Sequence, residues 1–124
     1  MSDQTAKRPL DGIRVLDLSR VLAGPYAGLM LADLGAEVIK IENPAHGDDS
    51  RTFTIPSHNG HAVYFLTVNR NKKSVALDLK APAGKAAFLK LVANCDVVVE
   101  NFRTGVMERL GLGFETLESV RPDI

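Results

Sequence analysis

The segment ADLGAEVIKIENP, residues 32–44, decides how the surrounding chain can fold. Gly35 is placed like a helix C′ residue, where the left-handed backbone favours glycine, and the β-branched run AEVIKIE, residues 36–42, predicts a buried strand. Upstream, IRVLDLS over residues 13–19 predicts a first strand, and PYAGLMLADLG predicts a helix whose first residue is Pro25. Together these elements form a βαβ unit with parallel strands and a right-handed crossover.

The stretch after this unit has no clear periodicity. Residues 43–62 contain two prolines, two glycines and three histidines, which predicts an irregular loop of the kind that often carries function. The next run, VYFLTV over residues 63–68, is compatible with either a strand or a helix.

A second unit follows the loop. SVALDL over residues 74–79 alternates like a strand, Pro82 opens the amphipathic helix PAGKAAFLKLVANC, and DVVVENF over residues 96–102 predicts another strand. Two short helical segments follow, interrupted at Gly111 and Gly113. This alternation predicts an α/β fold built on a parallel sheet with flanking helices.

The predicted domain limits leave a short tail. We expect a flexible N-terminus over residues 1–8 and one domain over residues 9–124. Ile124 resembles the first residue of a further strand, because the earlier passages from helix to strand also run from a polar residue into a β-branched run. We therefore expect this chain to be the N-terminal part of a larger domain.

Composition and charge disfavour several kinds of partner. Fifteen basic residues balance fifteen acidic ones, so no global field attracts nucleic acid or an anionic membrane, and an anionic ligand must be met by local cations. The single cysteine, Cys95, excludes an intrachain disulfide and is interpreted as a small core residue. No apolar run has the length of a signal peptide core or a membrane span, so the cytoplasm is the expected compartment.

Glu42 raises the question of a dinucleotide site, because an acid at the end of the second strand holds the ribose of NAD in many βαβ units. The turn SRVLAGPYAG lacks the G-x-G-x-x-G pattern that lets the backbone approach a pyrophosphate, and it has only Gly24 and Gly28. Pro25 also removes one N–H donor. The sequence therefore disfavours NAD, and Glu42 is interpreted as a solvated strand end or a hydrogen-bonding residue.

Other familiar sites lack their residue patterns. No GxxxxGK[ST] sequence is present, and Ser19 is not within a G-x-S-x-G elbow. His46, His58 and His61 share the loop with Asp48, but no cysteine joins them and the H-x-x-H spacing alone does not specify a metal. We expect no metal site.

The remaining distinctive motifs are LDGIRVLDLSRVLAGPYAGLMLADLGAEVIKIENPAHGDDSR, NRNKKSVALDLK and DVVVENFRTGVMERLGLGFETL. In this order, from Pro9 to Ile124, they resemble the N-terminal portion of class III CoA-transferases of the CaiB/BaiF type. That family contains formyl-CoA, carnitine-CoA and succinyl-CoA:dicarboxylate transferases and α-methylacyl-CoA racemase. The resemblance implies the N-terminal part of a Rossmann-like CoA-binding domain in a several-fold longer enzyme that forms an interlocked homodimer.

The resemblance also implies a chemistry. In the family's transferases an aspartate attacks the acyl-CoA thioester to give a mixed anhydride and then an aspartyl-CoA thioester, from which CoA passes to the acceptor acid. That aspartate lies beyond this segment, so we assign no catalytic residue here. The implied substrates are an acyl-CoA and a carboxylic acid acceptor, with dicarboxylates such as succinate and glutarate favoured, and no tightly bound cofactor is expected.

The resemblance places CoA contacts on eight residues: Val21, Leu22, Asn43, Leu77, Lys80, Asn101, Phe102 and Arg109. Their chemistry suits CoA, because Leu77 and Phe102 offer apolar walls for the adenine while Lys80 and Arg109 offer cations for phosphate oxygens. Four further cations are interpreted mainly as solvated residues that could add positive field: Arg51, Arg70, Lys72 and Lys73.

Two positions depart from the formyl-CoA transferase pattern. Leu22 replaces a glutamine that shapes the oxyanion environment, which disfavours formyl and oxalyl substrates. Asn43 replaces an arginine and so removes one cationic contact to CoA.

Three alternatives to the transferase remain open. The first is an acyl-CoA racemase of the same family, which would need an acid/base pair next to the thioester. The second is a non-catalytic CoA-binding or assembly fragment. The third, an NAD-binding domain, is supported by topology alone.

Overall fold

The computed structural model describes residues 7–124, and the predicted flexible tail over residues 1–8 falls mainly outside that range. The strands are β1 (Arg14–Asp17), β2 (Glu37–Glu42), β3 (Ser57–His58), β4 (His61–Ala62), β5 (Lys72–Ala76) and β6 (Val97–Val99). The helices are α1 (Ala23–Asp33), α2 (Val63–Asn69), α3 (Pro82–Val92), α4 (Val106–Arg109) and α5 (Phe114–Val120), and a 3₁₀ turn spans Asp49–Thr52.

Four strands form one parallel sheet in the order β5-β2-β1-β6. Val15 of β1 pairs with Val38 of β2 on one side and with Val97 of β6 on the other. The two short strands β3 and β4 form a separate antiparallel hairpin within the loop after β2. The predicted parallel α/β sheet is confirmed.

Helices cover both faces of this sheet. Successive residues of a strand point to opposite faces, so neighbouring residues of β1 contact different helices. Val15 belongs to a cluster with Ala32 of α1, whereas its neighbour Leu16 packs with Phe88 of α3. Cys95 lies in the Leu16 cluster at 0% exposure, and burial raises the pKa of its thiol. Its interpretation as a core residue is confirmed.

Helix α1 ends where Gly35 was predicted to end it, with Gly35 at the C′ position. This glycine has a φ of 113°, its N–H donates to Ala32 O at 3.0 Å, and the N–H of Ala36 donates to Leu31 O at 3.0 Å. These are the two bonds of a Schellman motif, which turns the chain directly into β2. The start differs, because α1 begins at Ala23 and the predicted first residue, Pro25, lies in its first turn.

Other boundaries also shift. The ambiguous run at residue 63 is the helix α2, and β5 begins at Lys72, two residues before the predicted strand. The predicted strand over residues 96–102 is regular only from Val97 to Val99. Among residues 7–124, each helix is too short or too polar to cross a membrane.

Candidate functional site

A cavity of about 480 Å³ lies where the strands of the parallel sheet end. Residues that follow β1, β2, β5 and β6 all line it, so it occupies the carboxyl edge where open α/β sheets bind ligands. The lining residues are Leu18, Ser19, Arg20, Lys40, Ile41, Glu42, Asn43, His46, Gly47, Asp48, Leu77, Asp78, Leu79, Lys80, Phe102, Arg103, Val106 and Leu110.

Half of the predicted CoA contacts lie in this cavity. Asn43, Leu77, Lys80 and Phe102 line it together, although they come from three different strand ends. Leu77 is fixed by a bond from its N–H to the carbonyl of Glu42 at 2.9 Å. The structure therefore brings the predicted apolar walls and the predicted lysine to one place.

The other four predicted residues do not line the cavity. Val21 and Leu22 lie in the turn between β1 and α1, and Leu22 is 49% exposed. Asn101 follows β6 and holds that turn, whereas Arg109 is an exposed residue at the end of α4.

The β1–α1 turn is held by side chains from other elements. Asn101 accepts a bond from Arg20 N–H and donates one to Arg20 O, both at 2.9 Å. Ser19 N–H donates to Asp17 Oδ1 at 3.0 Å, and Val21 N–H donates to Asp48 Oδ1 at 3.1 Å. Val21 has a φ of 70°, a left-handed conformation that costs a β-branched residue about 1–3 kcal/mol and persists only under such constraints.

A buried ion pair lies beneath this turn. Lys40 Nζ is 2.8 Å from Asp48 Oδ2, the two side chains are 2% and 0% exposed, and Nζ also donates to Ser19 O at 2.8 Å. Asp48 Oδ1 additionally accepts bonds from Ser50 N–H at 2.9 Å and Ser50 Oγ at 2.7 Å. Burial raises the pKa of Asp48, but the bonds from Lys40 and Ser50 outweigh it and hold the pKa below its ordinary value.

Glu42 is buried and fully engaged by protein groups. It accepts two bonds from Arg51, each at 2.7 Å, one from Ser74 Oγ at 2.7 Å and one from Asp48 N–H at 3.0 Å. Burial raises its pKa, but these bonds outweigh burial and lower the pKa to about 2. The hydrogen-bonding interpretation is confirmed, and the solvated strand end is wrong, because Glu42 is only 6% exposed.

Gly24 and Gly28, both within α1, allow close packing between this helix and the sheet. A Cβ on Gly24 would lie 2.2 Å from Ser19 Cβ, and a Cβ on Gly28 would lie 2.8 Å from Asp17 Oδ2 and 3.2 Å from Lys72 Nζ. Ser19 Oγ also donates to Asp17 Oδ1, and Lys72 Nζ pairs with Asp17 Oδ2 at 2.8 Å. The space that a phosphate loop would leave for a ligand is therefore filled by protein.

The four cations interpreted mainly as solvated residues are each paired with a carboxylate. Arg51, Arg70, Lys72 and Lys73 pair with Glu42, Asp33, Asp17 and Glu37, respectively. The solvated interpretation is wrong for Lys72, whose side chain is 2% exposed. It loses hydration by burial, which lowers its pKa, and gains three bonds to protein oxygens in exchange.

Several cavity residues were not predicted as ligand contacts, among them Arg20, Arg103 and His46, the last considered from the sequence only as a metal ligand. The guanidinium of Arg20 lies 5.4 Å from the centre of the Phe102 ring, within the range of a cation–π contact. Arg103 and His46 also line the wall, and within residues 7–124 neither Lys80 nor Arg103 forms an ion pair. Two cations at the wall are thus available to an anionic ligand.

The loop histidines do not converge on a metal. His58 and His61 face each other across the β3–β4 hairpin, whereas His46 lies at the cavity with Nδ1 3.0 Å from Gly47 O. In the part of the chain that the structure describes, no three His, Cys, Asp or Glu residues form a group that could hold a metal ion.

Comparison with known proteins identifies the family of this chain. The family described as CoA-transferase family III matches residues 10–124. The chain is 50% identical over 123 residues to succinyl-CoA:glutarate CoA-transferase of Mus musculus, an alignment that covers 99% of this chain and 28% of that protein. It is 46% identical over 124 residues to succinyl-CoA–D-citramalate CoA-transferase of Chloroflexus aurantiacus, covering 100% of this chain and 31% of that protein.

Solved structures show the same relationship. The chain matches a hypothetical protein of Mycobacterium tuberculosis, Rv3272, with a TM-score of 0.85 and 49% identity, over 94% of this chain and 31% of that one. It matches a CaiB/BaiF family protein of Brucella suis with a TM-score of 0.86 and 44% identity, over 92% of this chain and 31% of that one. The chain spans less than a third of the length of these relatives, and it belongs to CoA-transferase family III.

Proposed function

We propose that the cavity binds the adenosine phosphate end of CoA and that the whole protein transfers CoA between carboxylic acids. The observation that carries this proposal is the convergence of Leu77, Phe102 and Lys80 on one cavity at the carboxyl edge of the sheet. Leu77 and Phe102 provide apolar surface for the base, while Lys80 and Arg103 provide cations for phosphate oxygens.

The remaining predicted contacts take different roles in this proposal. Val21 and Leu22 border the site through the β1–α1 turn, and Asn101 supports the turn because both polar atoms of its amide bond Arg20. Arg109 would contact CoA only at the outer rim, since it is exposed and does not line the cavity. Asn43 lines the wall without adding charge.

The nucleophile of the proposed reaction lies outside this segment. Asp17 and Asp48 are buried and paired with lysines, so neither is available to attack a thioester. As the resemblance to the family implies, the proposed transferase uses an aspartate elsewhere in the whole protein, which would form an aspartyl-CoA intermediate before CoA passes to the acceptor.

We propose succinyl-CoA as the donor and a dicarboxylate as the acceptor. The names of several similar proteins specify succinyl-CoA and glutarate or D-citramalate, and Leu22 in the turn lacks the polar side chain expected for formyl or oxalyl substrates. The interlocked homodimer remains part of the proposal for the whole protein.

The direct test uses the full-length protein with succinyl-CoA and a panel of dicarboxylates, with glutaryl-CoA formation measured by chromatography. Lys80→Ala should raise the KM for succinyl-CoA by about tenfold or more, because it removes one charge-assisted bond to phosphate, whereas Lys90→Ala, an exposed lysine outside the cavity, should not. Equal effects of the two substitutions would remove the cavity from the proposal. Exchange of the α-proton without CoA transfer would favour the racemase instead.

A further inference from the structure

The turn of residues 19–21 is held at five backbone groups by side chains, and four of these groups are bonded by residues at least 21 positions away in the chain. Ser19 O accepts from Lys40, Arg20 N–H and O bond Asn101, and Val21 N–H donates to Asp48. The fifth group, Ser19 N–H, donates to Asp17. Val21 is strained in its left-handed conformation, and a strained residue held by this many hydrogen bonds is typical of a turn at a functional site.

The Lys40–Asp48 pair matches the needs of this turn. One end of the turn presents a carbonyl that needs a donor, and the other presents an N–H that needs an acceptor. An ammonium and a carboxylate supply both, and they neutralise each other at 2.8 Å inside the protein. Apolar replacements would leave both backbone groups buried without partners.

The pair also connects the turn to the cavity. Lys40 and Asp48 line its floor together with Ser19 and Arg20, and Arg20 extends from the turn to the ring of Phe102. Release of Val21 from the left-handed conformation would redirect the chain at Arg20 and Leu22, which border the site.

We propose that Asp48, paired with Lys40, is a positioning residue for acyl-CoA: it holds the Val21 backbone in the left-handed conformation that shapes the β1–α1 turn for the ligand. This inference rests on the proposed CoA site. Asp48 acts through Val21 and does not itself take part in the reaction.

The molecule contains a matched control for this inference. Lys72 and Asp17 form a second ion pair with the same 2.8 Å distance and the same side-chain exposures of 2% and 0%. Lys72 bonds Asp17, Pro25 O and Asn69 and makes no bond to the backbone of residues 19–21. Lys72→Met removes the cation from Asp17 Oδ2 and leaves in place Asp17 Oδ1, which accepts from Ser19 N–H, so it should destabilise the protein comparably while removing none of the five bonds to the turn.

The experiment measures the Kd of CoA by calorimetry on the folded fraction of full-length variants, with urea unfolding in parallel. Asp48→Leu should raise the Kd by about tenfold or more and the nearly isosteric Asp48→Asn by less, whereas Lys72→Met should lose stability with its Kd unchanged. Because Asp48→Asn preserves the shape of the side chain, it keeps the test informative if Asp48→Leu does not fold.

A double-mutant cycle separates positioning from general destabilisation. Glycine adopts a positive φ without strain, so the effect of Asp48→Asn on the Kd should shrink when Val21→Gly is also present. An unchanged Kd in folded Asp48→Asn, or an equal rise in Lys72→Met, would overturn the inference. A wild-type protein that does not bind CoA would instead overturn the proposed function.

Discussion

Replacing Glu42 by glutamine distinguishes a structural acid from a ribose ligand. In the structure Glu42 joins the end of β2 to the following loop through Arg51 and to β5 through Ser74. Glu42→Gln keeps the size of the side chain but removes its charge and one of the two acceptors that Arg51 uses. The expected result is a less stable protein.

The magnitude follows from the burial and bonding of this carboxylate. The Glu42 side chain is 5% exposed, and its partner Arg51 is 38% exposed and lies 3.8 Å from the centre of the Phe65 ring. A hydrogen bond to a buried charged group contributes about 1.5–3 kcal/mol. Because Arg51 retains access to water and Ser74 can still donate to an amide oxygen, we expect Glu42→Gln to cost about 2–3 kcal/mol of unfolding free energy.

The assay is urea unfolding of the full-length protein, with Glu37→Gln as the matched control. Glu37 lies at the other end of β2 and also has two cationic partners, Arg14 and Lys73, but its side chain is 35% exposed. Ion pairs of that kind contribute about 0–1 kcal/mol, so Glu37→Gln should cost clearly less. Equal losses for the two variants, or no loss for Glu42→Gln, would show that the buried bonds of Glu42 do not stabilise the fold more than the exposed ion pairs of Glu37 do.

The same residue predicts a dependence on acid. The pKa of Glu42 is lowered from 4.5 to about 2, so its contribution to stability is complete above pH 4.5 and disappears as the pH falls towards 2. The wild-type protein should therefore lose more stability over this interval than Glu42→Gln does. Parallel pH profiles of unfolding for the two proteins would contradict the assignment.

Three further predictions concern packing. Gly24→Ala should lower stability by about 1–3 kcal/mol in thermal unfolding, because the new methyl would lie 2.2 Å from Ser19 Cβ. The gain in helix propensity, about 1 kcal/mol, does not offset that clash. Unchanged stability would show that α1 can move away from Ser19. Gly35→Ala should cost about 1 kcal/mol by the same assay, since its φ is 113° and alanine resists the left-handed region; a stabilised variant would contradict the Schellman motif. Cys95 should react with a thiol reagent only upon unfolding, because it is fully buried and its thiol pKa is raised, and rapid labelling of the native protein would contradict its place in the core.

The sequence predicts the βαβ frame because its signals are local. Gly35 marks the end of α1, and β-branched runs on either side mark buried parallel strands. Helix α2 was ambiguous because Val63, Phe65 and Val68 are residues that strands also favour. Its helical state is settled by tertiary packing against α1, which no local pattern contains.

The residues of the candidate site also fall into those that the sequence predicts and those that depend on contacts between distant parts of the chain. Leu77, Lys80 and Phe102 were assigned from the resemblance to the family, and in the structure they follow β5 and β6 at the carboxyl edge where open α/β sheets bind ligands. The roles of Lys40 and Asp48 depend on a contact between the loop and a turn 27 residues away. One local signal was available: a lysine in a strand buried on both faces needs a carboxylate partner.

A crystal structure of the full-length protein with CoA bound would test the proposed CoA site without intermediate assumptions. We expect the adenine to lie against Leu77 and Phe102, with phosphate oxygens within hydrogen-bonding distance of Lys80 or Arg103. A nucleotide bound away from the cavity at the carboxyl edge of the sheet would contradict the proposed site.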